Sequence, residues 1–154
     1  LLMTHDFDHL ENTPLSPDEL HYATRESQAA PYRMQTLGAI FSWRYYPAFP
    51  VKDIVHSIKQ QDIEQGGAAW NPNAWLMDEV INSDDDGYRV SQLDSLDEKG
   101  VLDPVVVMFD ARGFDIGDGW HRIAWSFIND VDTIPAFVGV SPEDLTASWY
   151  RPIK

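Results

Sequence analysis

The feature that most constrains the fold of this sequence is an unbroken run of five apolar residues, Val105-Val106-Val107-Met108-Phe109. A strand that is buried on both faces of a sheet has a continuous apolar sequence, because neither side of the strand faces water. Asp110-Ala111-Arg112-Gly113 has the composition of a turn, and Phe114 to Ile116 is predicted to return as a second strand. The run therefore predicts an interior strand followed by a hairpin.

Helix starts are marked by capping residues at several places. Ser16-Pro17-Asp18-Glu19 supplies an N-cap, a proline at the first helical position and a capping box, and Leu15 and Leu20 can form a hydrophobic staple. Asn71-Pro72 opens a further helix, and Ser141-Pro142 has the same form. Helical spacing also relates four apolar residues, Val51, Ile54, Val55 and Ile58.

These elements predict the α+β class and a single domain over residues 1–154. Residues 1–90 are predicted to be a mainly helical extension, with one aromatic-rich strand at Ala39 to Tyr46. Residues 91–140 form the predicted core: a helix closed by Gly100, the hairpin, a helix over 119–129 and a strand at 134–140. Residues 141–154 are predicted to be a C-terminal helix or tail. We expect 105–109, 114–116 and 136–140 to share one sheet, with helix 119–129 packed on it.

The charge of the chain limits its partners. It carries 25 Asp and Glu against 11 Lys and Arg, a formal net charge of −14, and the basic residues are scattered. Such a surface repels DNA phosphates and anionic membranes, which argues against direct nucleic-acid binding. No apolar run approaches the roughly 20 residues of a membrane span. The absence of cysteine excludes thiolate chemistry, and the acidic N-terminal stretch lacks the features of a signal peptide, so we expect a cytoplasmic protein.

The segment GFDIGDGWHRIAWSF, residues 113–127, has basic residues where they are unfavourable, at the predicted N-terminus of a helix. It is predicted to pass from a strand through Gly117-Asp118-Gly119 into a helix whose first turn carries His121 and Arg122. Cations are unfavourable at a helix N-terminus, where the macrodipole is already positive. Asp118 is the predicted N-cap, and the glycines leave room for a ligand to reach the backbone. The guanidinium of Arg122 lies beside the free amides of the first helical turn, so this turn could bind an anion. The alternative is that Arg122 pairs with Asp115, Asp118 or another of the many acids.

The helix that follows is predicted to bury one stripe, formed by Ile123, Ala124, Phe127 and Ile128. The chain is also rich in aromatic residues. Their expected role is packing in the core, and the alternative is that they form a stacking surface for a base or a partner protein. Trp120 lies inside the anion-binding turn, where it could stack on a base or close the pocket.

The segments Gly100 to Val107, Phe114 to Ala124 and Thr133 to Ala136 resemble the core of the ParB/sulfiredoxin superfamily. That family has a helix ending near Gly, an apolar strand after Pro, a hairpin, a strand leading into a D-G-x-H-R motif or a related form, a helix, and an "I-P" strand. The similarity covers about a third of the chain, residues 91–140. The first ninety residues resemble no family that we can name.

The resemblance implies phosphate binding at the strand-to-helix turn. Carried over to this chain, Gly117, Gly119, His121 and Arg122 would contact a nucleotide phosphate, with Trp120 beside them. The implied cofactor is ATP or CTP with Mg²⁺, and no other metal site is predicted. For a kinase-like activity, Asp118 is the candidate catalytic residue, with Asp103 and Asp115 as alternatives.

Two departures of this chain from the family pattern reduce the number of family activities that it could have. Trp120 stands where sulfiredoxins carry their nucleophilic cysteine, so sulfinic acid reduction by that route is excluded. Partition clamps carry a helix-turn-helix domain after this core. Here only residues 141–154 follow it, which argues against a partition clamp.

Three hypotheses remain at this point. The first is a nucleotide-binding phosphotransferase, NTPase or nucleotide-controlled switch. The second is a non-catalytic acidic interaction or inhibitor protein with a basic protein partner, possibly by mimicry of DNA. The third hypothesis is a ParB-like nuclease, which is the least favoured because the negative charge of the chain repels DNA.

Overall fold

The computed structural model describes residues 7, 9–24, 42–83, 88–110 and 112–141. The predicted C-terminal helix or tail lies, apart from Ser141, outside the described residues. The described helices and strands, in chain order, are β1 (Thr13–Leu15), α1 (Pro17–Ala23), β2 (Ser42–Pro50), α2 (Val51–Glu64), α3 (Pro72–Ser83), α4 (Tyr88–Lys99), β3 (Val105–Asp110), β4 (Gly113–Asp118), α5 (Trp120–Ile128) and β5 (Thr133–Val140).

The strands form one mixed sheet in the order β1-β2-β5-β3-β4. Neighbouring strands are antiparallel except for β3 and β5, which run parallel. The crossover between these two consists of the β3–β4 hairpin, the Asp118–Gly119 turn and helix α5. The prediction of an α+β fold is confirmed, and so is the prediction that β3, β4 and β5 share one sheet.

Strand β3 is buried on both faces, as its apolar run predicts. Val105, Val107 and Phe109 belong to the main core, which α2 and α5 also enter. Val106 and Met108 face the other side, in a smaller cluster with Leu20, Trp43 and Phe137. Helix α1 reaches this second cluster through Leu20, which is fully buried. The capping box that holds the start of α1 is present as predicted, with Ser16 Oγ accepting from the amide of Glu19 at 3.1 Å.

The segment before residue 91 belongs to the same sheet and core as the segment after it. Strand β2 pairs with β5 from Ser42 opposite Val140 to Pro50 opposite Thr133, with an irregularity between Tyr46 and Phe49. The predicted strand at 39–46 is therefore displaced: the structure places it at Ser42–Pro50, and residues 39–41 are outside the described part. Phe49 is fully buried, and its aromatic neighbours include Phe7 and Phe114.

Ile123 of helix α5 is fully buried in the main core together with residues of the sheet, and Ala124 is fully buried as well. The prediction that Ile128 completes the buried stripe is wrong, because Ile128 is 36% exposed. The helix ends at this residue, and the chain turns away through Asp130, which has a φ of +55°. Ser126 is fully buried instead, because it lies on the side of the last turn that faces the core.

Candidate functional site

The predicted phosphate turn joins the end of β4 to the start of α5. Asp118 still pairs with Val106 as part of β4, and Gly119 follows with a φ of +107°. The N-cap of α5 is Gly119 and not Asp118, so this part of the prediction is wrong. Because Asp118 is held in the strand, the chain reverses one residue later than expected, and Gly119 adopts the left-handed conformation that glycine tolerates best.

Arg122 makes three hydrogen bonds to the protein itself. Its Nη1 donates to the backbone oxygens of Asp103, at 2.7 Å, and Pro104, at 3.1 Å. Its Nη2 donates to Asp118 Oδ2 at 3.3 Å, and only 22% of the Arg122 side chain is exposed. We call these contacts of Arg122 with Asp103, Pro104 and Asp118 the Arg122 latch. The latch fastens the loop before β3 to the first turn of α5, and its contact with Asp118 is of the kind that the alternative interpretation of the sequence expects.

The two glycines of the turn pack closely against β3. A Cβ at Gly119 would stand 2.5 Å from Val105 Cγ1 and 3.2 Å from Arg122 Nη2. A Cβ at Gly117 would stand 3.0 Å from Met108 Sδ and 3.3 Å from Val106 Cγ1. The overlap with Val105 is a sufficient physical reason for glycine at position 119, whereas a side chain at position 117 would require its neighbours to shift by a few tenths of an ångström.

Trp120 and His121 belong to an aromatic cluster that ties α5 to the start of α3. The ring of Trp120 lies 5.3 Å from that of Trp70, edge to face, and 6.0 Å from that of Trp75. The imidazole of His121 lies 5.0 Å from Trp75. Aromatic pairs at these distances contribute packing beyond their buried area. All four residues are partly buried.

The structure thus brings together the predicted site residues of the turn, but it gives most of them an internal partner. The first-turn amides of α5 are those that a helix leaves without an intrahelical acceptor, and they lie beside Arg122. Asp103, an alternative catalytic residue, contributes its backbone oxygen to the latch and is exposed. Asp115, the other alternative, is an exposed residue of β4.

A second ion pair closes the β3–β4 hairpin. Arg112 Nη2 lies 2.9 Å from Asp110 Oδ2, and the Arg112 side chain is 71% exposed. Burial raises the pKa of Asp110, but the side-chain hydrogen bond, the backbone hydrogen bond and the charge of Arg112 together bring that pKa below its ordinary value. This exposed pair provides a useful contrast to the Arg122 latch, which is mostly enclosed.

Two further properties concern the described residues as a whole. They contain no group of three or more His, Asp and Glu side chains that could hold a metal ion. None of their helices combines the length and the hydrophobicity that a membrane span needs.

Comparison of the chain with protein-family models, with curated proteins and with solved structures finds no match. The resemblance to the ParB/sulfiredoxin superfamily therefore rests on the residues of the turn and on the order of the elements around it.

Proposed function

We propose that this chain is an acidic interaction protein that binds a basic protein partner through exposed carboxylates, with the strand-turn-helix segment serving as scaffold. The observation that carries this choice is the Arg122 latch. The one guanidinium that the sequence offers to a phosphate is bonded to Asp103, Pro104 and Asp118.

An anion at this turn would have to compete with the latch. It would displace Arg122 from three hydrogen bonds, which together stabilise the protein by about 1–3 kcal/mol. It would also approach the carboxylate of Asp118, which lies 3.3 Å from Nη2. Both effects disfavour phosphate binding without a rearrangement of Arg122.

The outer face of α4 is the acidic surface that we assign to the partner. Asp94, Asp97 and Glu98 are exposed, and the last two follow Asp94 by three and four residues, so each is a neighbour of Asp94 on the helix surface. Asp97 also accepts a hydrogen bond from Trp125 Nε1 at 2.8 Å, which fixes α4 against α5. A basic partner would neutralise this face, in the way that a DNA-binding site neutralises phosphates.

Charge reversal on this face tests the proposal. Asp94→Lys with Glu98→Lys should slow association with a purified partner roughly tenfold at low salt, because steering acts on the on-rate. The partner is first captured with the wild-type chain and identified, and binding kinetics are then measured with purified proteins. Glu11→Lys with Asp132→Lys is the matched control, since both pairs of exposed acids make the same change in net charge. Equal effects of the two variants would contradict the assignment to α4.

Nucleotide binding is the second candidate, with ATP or CTP and Mg²⁺ as the ligand and Asp118 as the catalytic residue of a phosphotransferase. The order of strand, left-handed Gly119 and helix supports it, as does the position of His121 and Arg122 in the first turn. Calorimetric titration with ATP, CTP and GTP in the presence of Mg²⁺ tests this candidate directly. Saturable binding that Arg122→Ala abolishes would establish the site, and a partner released or recruited by that nucleotide would identify a switch.

A further inference from the structure

An open groove lies away from the turn, between α2, the segment 69–73 that leads into α3, and the end of α5. Its volume is about 540 Å³, and its remaining walls come from Lys59, Phe127 and Ile128. Pockets that bind small molecules commonly have volumes of about 300–1,000 Å³. The groove is therefore large enough for a small organic ligand.

The charge of this groove is opposite to that of the whole molecule. No acid is among the described residues that line it, although acids outnumber Lys and Arg by 25 to 11 in the chain. Lys59 supplies one cation, and its Nζ stands 4.8 Å from the ring centre of Phe127. Within the described residues, no carboxylate lies at ion-pair distance from Lys59. Asp62, one turn further along α2, accepts a hydrogen bond from the amide of Trp70.

The walls of the groove combine flat apolar surface with amide groups. Trp70 and Phe127 are half-buried rings, and Ile128 adds an exposed aliphatic side chain. Asn71 uses its side-chain oxygen to cap α3, accepting from the amide of Ala74 at 3.1 Å. Its side-chain NH₂ remains as a donor, and the exposed Asn73 adds a second amide.

We propose that this groove binds a small planar aromatic anion, such as an aromatic carboxylate. The aromatic body packs on Trp70 and Phe127, and the carboxylate faces Lys59 with the asparagine amides beside it. A cationic ligand would be repelled by Lys59, and a neutral ligand would leave Lys59 without a counter-charge. The proposal is independent of the acidic face of α4 and of the phosphate turn.

Naphthoate and naphthylmethanol are suitable probes, because they share an aromatic body and differ in charge. Binding to the full chain is measured by calorimetry and by quenching of tryptophan fluorescence. A ligand of this size is expected to bind with a Kd on the order of 1 mM or below. Naphthoate should bind about three- to fivefold more tightly than naphthylmethanol, which is the range of a partly exposed ion pair.

Two variants and one control test where the probe binds. Lys59→Gln should abolish the preference for naphthoate, whereas Lys99→Gln removes the same charge from an exposed position on α4 and should preserve it. Ala69→Trp places a large side chain at an exposed position of the groove wall and should block both probes.

Three results would overturn the proposal. The first is the absence of saturable naphthoate binding in the millimolar range. The second is equal affinity of the wild-type chain for the two probes. The third is a preference for naphthoate that survives Lys59→Gln in a variant whose melting temperature matches that of the wild type.

Discussion

The guanidinium of Arg122 connects three parts of the chain that are separated in sequence: the loop before β3, the end of β4 and the first turn of α5. It places a cation at a helix N-terminus, where the macrodipole disfavours it. The carboxylate of Asp118 and the backbone oxygens of Asp103 and Pro104 offset that cost, because all three present negative charge to the guanidinium. A basic residue at this position is thus compatible with a structural role.

Arg122→Ala should lower the free energy of unfolding by about 1–3 kcal/mol, since it removes three hydrogen bonds made by a charged and largely enclosed group. Arg112→Ala is the control, because its ion pair with Asp110 is exposed and screened by solvent and should contribute much less. Urea denaturation of both variants measures the difference. If Arg122→Ala costs no more than Arg112→Ala and abolishes the binding of a nucleotide, the guanidinium serves a ligand instead.

Helix α2 lies against the β4 edge of the sheet and contacts it at Phe114. Strand β4 is the last strand of the sheet, and an unpaired edge can associate with other chains. Ser57 Oγ accepts from the amide of Phe114 at 2.9 Å, and Gln61 Nε2 donates to the backbone oxygen of Phe114 at 2.8 Å. A Cβ at Gly113 would overlap Ser57 Oγ, so the glycine permits the helix to approach the edge this closely. Two side chains of α2 thus replace the bonds that a further strand would make.

Gln61→Ala should therefore destabilise the protein by about 1–2 kcal/mol, because it leaves a part-buried backbone oxygen without its donor. Gln60→Ala is the matched control on the same helix. Gln60 is exposed and donates only to Glu64, at 3.3 Å, so its loss should cost no more than about 0.5 kcal/mol. Equal midpoints in urea for the two variants would show that the contact with β4 does not stabilise the fold.

At the scale of the whole molecule, the net charge of −14 opposes folding through self-repulsion. Only two ion pairs, Arg112–Asp110 and Arg122–Asp118, join side chains within the described part of the chain. Carboxylates outnumber Lys and Arg by 25 to 11 in the chain, so more than half of them cannot be paired one to one with a cation.

Added NaCl should raise the melting temperature, because the Debye length falls from about 30 Å at 0.01 M to about 3 Å at 1 M. The rise should be smaller for the variant Asp94→Lys with Glu98→Lys, whose net charge is four units less negative. Differential scanning calorimetry of the two proteins across this range provides the measurement. A melting temperature that is unchanged or lower in salt would show that self-repulsion does not limit stability.

Local sequence determined the type of most described elements, because the signals for them act over a few residues. The apolar run at 105–109 predicted the interior strand β3. Capping residues predicted the start of α1, and Asn71-Pro72 predicted the start of α3. These signals depend on local hydrogen bonds and on periodicity, and both can be recognised without knowledge of the tertiary structure.

Tertiary structure decided the arrangement of the elements and the partners of the site residues. Strand β2 lies beside β5 because of contacts between residues about ninety positions apart. The N-cap is Gly119 and not the predicted Asp118, because Asp118 pairs with Val106 and remains in the strand. Arg122 meets Asp103, nineteen residues earlier, only after β3 and α5 have packed together. The sequence alone could not show which acceptors Arg122 contacts, because the packing of distant segments decides which oxygens lie within reach of a long flexible side chain.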